Sequence, residues 1–293
     1  MGVVAPSGAV DEEALGAGVK VLEGWGLRVV LGSGVLERRA YLAGDDVVRR
    51  ADLERMIANP EPRAIFCARG GYGSQRLLPR LDLTPLSSRP KPIVGYSDAT
   101  ALLNAAVARG VVAIHGPMVA DDMARGLPRR SEDHLLRVLM DADFLWEAEV
   151  PETVRPGRAT GRLLGGCLSV LNATLGTPYA PDTDGAVLFL EDVHERPYRL
   201  DRLLTQLVQS GKLDRVAGLV FGTMATCPPV DGVGPLEVVR ACCAALPCPI
   251  GFGLPAGHAT PNDGCENLAL PLGVEVLLDT ERGCLRALEP AVA

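Results

Sequence analysis

The sequence predicts an α/β protein of two domains, and three observations carry that expectation. Strand-like apolar runs alternate with amphipathic helical segments through the first 120 residues. The pattern loosens over residues 121–160, then resumes from residue 161 to the end. A length of 293 residues also suits two domains of about 100–200 residues each.

The elements follow in order. Residues 2–5 form a short β run, and residues 11–24 read as a helix with Leu15, Val19 and Leu22 on one face. A second β run covers 27–31. A second helix covers 45–59, with Asp45 or Asp46 near its start and Pro60 after its end. Residues 63–68 form a strand that runs into "RGGYGS", and residues 74–81 form a short helix carrying Pro79. A strand at 92–96, a helix from Asp98 and a β run at 111–115 complete the first domain, placed at 1–120. Strands alternating with helices imply right-handed crossovers and a mostly parallel sheet. Residues 121–160 are the inter-domain connection, with one helix-like piece at 132–140. The second domain, 161–293, offers strands at 186–190, 218–221 and 249–253, helices at 199–210 and 236–246, and a hairpin turning near 279–283.

Composition narrows the class. Hydrophobic residues make up 47%, enough for a core, and aromatics only 4%, so that core should be aliphatic. A net charge of −7 argues against nucleic acid or an anionic membrane as the main partner. No run of about 18 apolar residues suggests a membrane span, and the start "MGVVAPSG" enters a strand without a leader pattern, so a cytoplasmic setting is expected. The eight cysteines form no C-x-x-C and no zinc-finger spacing with histidine. Reduced thiols, several of them in the core, and no metal or other cofactor are expected.

The stretch "PIVGYSDATALL" holds a serine between a strand and a helix. Ligands of open α/β sheets bind beyond the carboxyl ends of the strands, where Ser97 falls. A nucleophile elbow needs small residues two before and two after the nucleophile, and Gly95 and Ala99 meet that need. Such a turn also presents the Asp98 backbone N–H at a helix N-terminus, where an oxyanion can be stabilised. The competing reading is that Ser97 only caps the helix.

A serine nucleophile needs a base. His134 lies in a charged segment expected at the surface, and His194 lies in the loop "EDVHERPYR". His115 ends a β run near the edge that holds Ser97, and His258 sits in the Gly/Pro-rich "GLPAGHATPN". The residues alone leave His115 and His258 both open. The acid would come from the end of "GAVLFLEDVHE", at Glu191 or its neighbour Asp192. The order Ser97, Glu191, His258 matches one known triad order. "CARGGYGS" is neither a P-loop nor a dinucleotide fingerprint, but Gly70, Gly71 and Gly73 let backbone approach a ligand. Cys67, which opens that stretch, lacks an elbow of its own.

Taken together, "VVAPSG", "YLAGDD", "IFCARGGYGSQRLL", "PIVGYSDATALL", "IHGP", "GRLLGGCLSVLNATLGTPY", "LFLEDVHERPYRLDRLLTQL", "GLVFG" and "AGHATPN" resemble the LD-carboxypeptidases, or muramoyltetrapeptide carboxypeptidases, nearly end to end. The resemblance implies an N-terminal parallel-sheet domain with flanking helices and a C-terminal α/β domain of barrel-like character, with the active site between them. It implies a triad of Ser97, Glu191 and His258, an oxyanion hole from the backbone N–H groups of Asp98 and Gly71, and no metal. It implies a cytoplasmic homodimer that removes the terminal D-alanine from murein tetrapeptides. A carboxypeptidase must hold a free carboxylate, and Arg69, with Gly70 beside it, is the candidate for that role. The same superfamily contains microcin C immunity peptidases, which cleave aminoacyl-nucleotide conjugates and carry tryptophans near the ligand. Here Trp25 and Trp146 fall outside every quoted motif.

Overall fold

The computed structural model describes residues 1–259 and 266–293 of the chain. Cys265 and the "TPN" of the last quoted motif lie outside the described residues. The chain divides into two units, Met1–Glu132 and Asp133–Ala293.

In the first unit the elements are β1 (Gly2–Val4), α1 (Glu12–Gly24), β2 (Val30–Leu31), α2 (Asp46–Ala58), β3 (Ile65–Cys67), α3 (Pro85–Ser88), β4 (Ile93–Gly95), α4 (Thr100–Val107) and β5 (Ala113–His115). The strands lie in the order β5-β4-β3-β1-β2, and every pairing is parallel. The β1–β2 and β4–β5 pairings join strands that a helix separates in sequence, which is the pattern the alternation predicts. Val3, Val4, Ile65, Phe66, Ile93, Val94 and Ile114 are fully buried, as strands covered on both faces require.

Helix starts follow the acidic residues. The Asp11 carboxylate accepts from the Ala14 N–H at 2.9 Å, and Glu12 and Glu13 occupy the first turn of α1. Asp45 accepts from the Val47 and Val48 N–H groups and caps α2. Two elements differ from expectation. Residues 74–81 form two single 3₁₀ turns, Ser74–Arg76 and Leu78–Arg80, because Pro79 cannot donate to a continuing helix. Of the run at 27–31, only Val30–Leu31 pairs.

Helix α5 (Arg129–Met140) contains the division between the units. The second unit continues with β6 (Glu147–Glu149), β7 (Glu152–Arg155), β8 (Arg158–Cys167), α6 (Leu168–Thr174), β9 (Val187–Val193), α7 (Pro197–Gln209), β10 (Gly218–Ala225), α8 (Pro235–Cys242), β11 (Ile250–Phe252), β12 (Leu270–Leu272), β13 (Glu275–Asp279) and β14 (Cys284–Ala287). Eight strands form a sheet in the order β6-β14-β13-β8-β9-β10-β11-β7, parallel from β8 to β11 and antiparallel elsewhere. Its edge strands β6 and β7 are joined only by Val150 and Pro151, so the sheet must curl until its edges nearly meet. That is its barrel-like character.

Strands β6 and β7 fall within the stretch that the sequence left as connection. They are short, and glutamates and Thr153 fill their exposed positions, so period-2 alternation barely shows. His134 was expected at the surface. It is half-buried instead, with Nε2 2.9 Å from the Ala269 carbonyl and its ring edge-on to Phe144 and Trp146. No helix among the described residues is long and apolar enough to cross a membrane.

The Asp45 cap gives a stability test. Asp45→Ala removes the acceptor for two N–H groups and should destabilise the first unit by about 1 kcal/mol. Urea unfolding should show a lower midpoint with an unchanged slope.

Candidate active site

In the first unit the chain leaves β4 through Tyr96, which is extended, and enters Ser97 at φ +59°. A non-glycine residue in this left-handed region costs about 1 kcal/mol or more and needs surroundings that enforce it. They are present. A Cβ on Gly95 would lie 3.0 Å from the Cys67 Cβ and 3.2 Å from the Ala99 Cβ, so a side chain there would have to displace its neighbours by a few tenths of an ångström. A Cβ on Gly70 would lie 2.9 Å from the Ser97 Oγ, so the glycine turn after β3 passes directly beside the serine. This is the geometry of an elbow. Ser97 does not occupy a cap position: Tyr96 precedes the 3₁₀ turn Ser97–Ala99 and Ala99 precedes α4.

Two backbone N–H groups flank it. The Ser97 carbonyl accepts from the Thr100 N–H, and the Gly70 carbonyl accepts from the Gly8 N–H at 3.0 Å. In a trans peptide unit the C=O and the following N–H point opposite ways. Fixing those two carbonyls therefore aims the N–H groups of Asp98 and Gly71 away from their partners. Among the described residues neither N–H donates a hydrogen bond to a protein acceptor.

In the second unit β9 runs through Val193, so Glu191 lies inside the strand rather than beyond it. It is fully buried. Its Oε2 accepts from the His258 ring at Nδ1, 2.7 Å away, and from the His258 backbone N–H at 3.0 Å. A carboxylate can only accept, so the ring proton sits on Nδ1 and Nε2 is the basic nitrogen. The loop that carries His258 is fixed from three sides. Thr223 Oγ1 donates within reach of the Ala256 and His258 carbonyls, and Asn267 Oδ1 accepts from the Gly257 N–H at 3.1 Å. A Cβ on Gly257, at φ +119°, would lie 2.7 Å from Glu191 Oε2. Neither Thr223 nor Asn267 stood out in the sequence, since each is one polar residue beside an apolar run.

Asp192 points the other way, as adjacent strand residues do. Its carboxylate takes the Ser169 N–H at 2.8 Å and the Val193 N–H at 2.9 Å, and burial, then the neighbouring Glu191 charge, push it above the usual carboxylate range. Among the remaining histidines, His115 is fully buried with its ring 5.6 Å from that of Tyr96, and His194 is exposed with Nδ1 2.7 Å from Thr226 Oγ1. Arg69 donates to the Ala9 carbonyl at 3.1 Å and pairs with no carboxylate among the described residues. Ser97, Asp98, Gly70, Gly71 and Arg69 belong to the first unit, and the Glu191–His258 pair belongs to the second.

Among the described residues no group of three His, Cys, Asp or Glu side chains is arranged to hold a metal ion. The seven described cysteines are free. Burial pushes the Cys67 thiol up to about 12, with the Asp98 charge adding to the effect. A raised thiol pKa in the folded state means stability is fully present below the ordinary value near 9 and is lost as pH climbs from there toward 12. Iodoacetamide at pH 8 should therefore leave Cys67 unmodified in the native protein and label it after unfolding, read by peptide mass spectrometry.

Residues 1–116 match the LD-carboxypeptidase N-terminal domain, and residues 160–278 match the LD-carboxypeptidase C-terminal domain. A Streptomyces coelicolor protein assigned as a carboxypeptidase is 44% identical over 308 residues, covering 99% of this chain and 93% of its own length. The murein tetrapeptide carboxypeptidase of Pseudomonas aeruginosa is 35% identical, covering 96% of this chain and 93% of its own. The crystal structure of the muramoyltetrapeptide carboxypeptidase from Oxalobacter formigenes superposes with a TM-score of 0.87 at 30% identity, over 98% of both chains. With both halves matched and these identities spanning almost its whole length, the chain belongs to the LD-carboxypeptidase family of peptidases.

Proposed function

We propose that this protein is a serine carboxypeptidase that removes the terminal D-alanine from murein tetrapeptides, at a bond joining an L-centre to a D-residue. The observation that carries the reading is Ser97 held at a left-handed φ beside two outward-aimed N–H groups, a conformation that a helix cap does not need. The fixed His258 tautomer supports it from the second unit. In this reading Ser97 Oγ attacks the scissile carbonyl carbon while His258 Nε2 takes its proton. The N–H groups of Asp98 and Gly71 stabilise the tetrahedral oxyanion. His258 then protonates the leaving D-alanine amine, and water releases the peptide by the reverse sequence. Glu191 stabilises the imidazolium formed on the way.

Arg69 is proposed to grip the free carboxylate of the substrate. One guanidinium nitrogen is tied to the Ala9 carbonyl, which steadies the fork, and the remaining N–H groups suit a carboxylate. The proposed setting is cytoplasmic recycling of cell-wall peptides, by a homodimer.

The direct test is incubation with a murein tetrapeptide and, in parallel, with an aspartyl-adenylate analogue. Release of D-alanine from the first is expected. Turnover of only the second would transfer the protein to the nucleotide-conjugate activity. Arg69→Lys should raise KM for the free acid far more than for its C-terminal amide, and equal effects on both would remove Arg69 from the carboxylate site.

Glu191→Gln keeps nearly the same size but presents an amide that can hold the wrong tautomer. In the serine-protease template the corresponding change lowers turnover about 10⁴-fold. A loss of about 10²–10⁴-fold in kcat with little change in KM is expected here. Asp192→Asn should keep most activity, because Asp192 serves the Ser169 and Val193 N–H groups on the opposite face. Single-turnover kinetics on the folded variants decides between the two carboxylates.

A further inference from the structure

The Asp98 side chain has no part in the chemistry above, yet it is buried, at 4% exposure, and held by a hydrogen bond to one of its oxygens. Its Oδ2 accepts from the Ser74 backbone N–H at 2.7 Å, and its own backbone carbonyl accepts from Ser74 Oγ at 2.6 Å. Ser74 is 1% exposed and lies three residues beyond Gly71. One residue pair thus fastens the glycine turn to the residue that follows Ser97, through two hydrogen bonds running side by side.

A second strut holds the same turn from behind. Arg49, 2% exposed on α2, donates to the Gly73 carbonyl at 2.9 Å and to the Pro6 carbonyl, and it pairs with Asp46. Pro6 lies two residues before Gly8, whose N–H fixes the Gly70 carbonyl and so the direction of the Gly71 N–H. Burying a guanidinium is costly unless its donors are satisfied. Here one terminal nitrogen serves carbonyls of the two loops that orient one N–H group and the other pairs with Asp46, while the buried Nε is left without a partner among the described residues.

We propose that the Asp98 carboxylate and Ser74 form a positioning clamp that sets the spacing between the two oxyanion donors, the N–H groups of Asp98 and Gly71, with Arg49 anchoring the far side of the glycine turn. This rests on the proposed serine mechanism. An oxyanion hole works only if both donors lie within hydrogen-bond reach of one developing charge, so a shift of a few tenths of an ångström weakens it without abolishing it. The last β3–β4 register pair is Phe66 with Val94, and the Asp98–Ser74 bonds tie the turn after β3 to the elbow after β4 beyond it.

The test compares Asp98→Ala, Asp98→Asn and Ser74→Ala with the unaltered protein. Three readouts are taken: D-alanine release from the tetrapeptide, thermal midpoint, and the amide resonance of Gly71 in ¹⁵N-labelled protein. Deleting an oxyanion donor outright costs about 10²–10³-fold in kcat, so displacement should cost about 10- to 100-fold for Asp98→Ala. KM should stay within about threefold, because the loss is in the transition state. Asp98→Asn, which keeps an acceptor for the Ser74 N–H, should lose less than Asp98→Ala. The Gly71 amide should move in Asp98→Ala, although that residue lies 27 positions away in sequence. A folded Asp98→Ala protein with unaltered kcat, a loss confined to KM, or an unmoved Gly71 resonance overturns the clamp. If the unaltered protein releases no D-alanine, the proposed function fails separately, and the Gly71 resonance still decides whether the clamp exists.

Discussion

A serine held at φ +59° is the constraint around which the first unit is built. The conformation is unfavourable in an isolated chain and persists only where neighbours leave nothing else. Three adjacent strand ends supply those neighbours. β3 contributes Cys67, which fills the space that a side chain at position 95 would take, and the turn at Gly70 that runs beside the hydroxyl. β1 contributes Gly8, which pins the Gly70 carbonyl. β4 itself delivers the serine. A parallel sheet places these ends side by side, which is why the fold and the elbow belong together.

The second unit solves a different problem, the burial of a carboxylate. Glu191 has no solvent exposure, and a buried charge needs donors. It receives two from one residue, the ring and the backbone N–H of His258, so the same bonds that satisfy the charge also fix the ring. Thr223 holds the His258 carbonyl and Asn267 the Gly257 N–H, so His258 does not depend on Glu191 alone for its place.

Much of this was legible in the sequence, for identifiable reasons. The strands β1, β3 and β4 read as apolar runs because both faces are covered, and the caps of α1 and α2 are aspartates whose role is local. Gly95 and Ala99 announced the tight turn because steric demand leaves few residue types. What stayed hidden depends on contacts distant in sequence. Ser74 looks like any small polar residue after a glycine turn until it meets Asp98, 24 positions on. Strands β6 and β7 carry glutamates outward and only a few apolar residues inward, so nothing local separates them from loop. His134 sits among charges in the chain but packs on Trp146, and no periodicity rule sees that.

The adjacent acids Glu191 and Asp192 bear on why the charge is kept. Placing two carboxylates next to each other in a buried strand is electrostatically unfavourable, and the strain is visible around them. Burial and the Glu191 charge hold Asp192 above the usual carboxylate range, and burial, then the charges of Glu191 and Asp192, push the Cys167 thiol well above its own. A purely structural need to hold the His258 ring would be met by a neutral acceptor at lower cost. A negative charge gains further value over a neutral acceptor if a positive charge forms beside it. The imidazolium of the proposed mechanism is such a charge, formed when His258 takes the Ser97 proton. The second unit thus carries a standing electrostatic cost that a mechanism passing through a protonated His258 would offset, a pattern common where activity competes with stability.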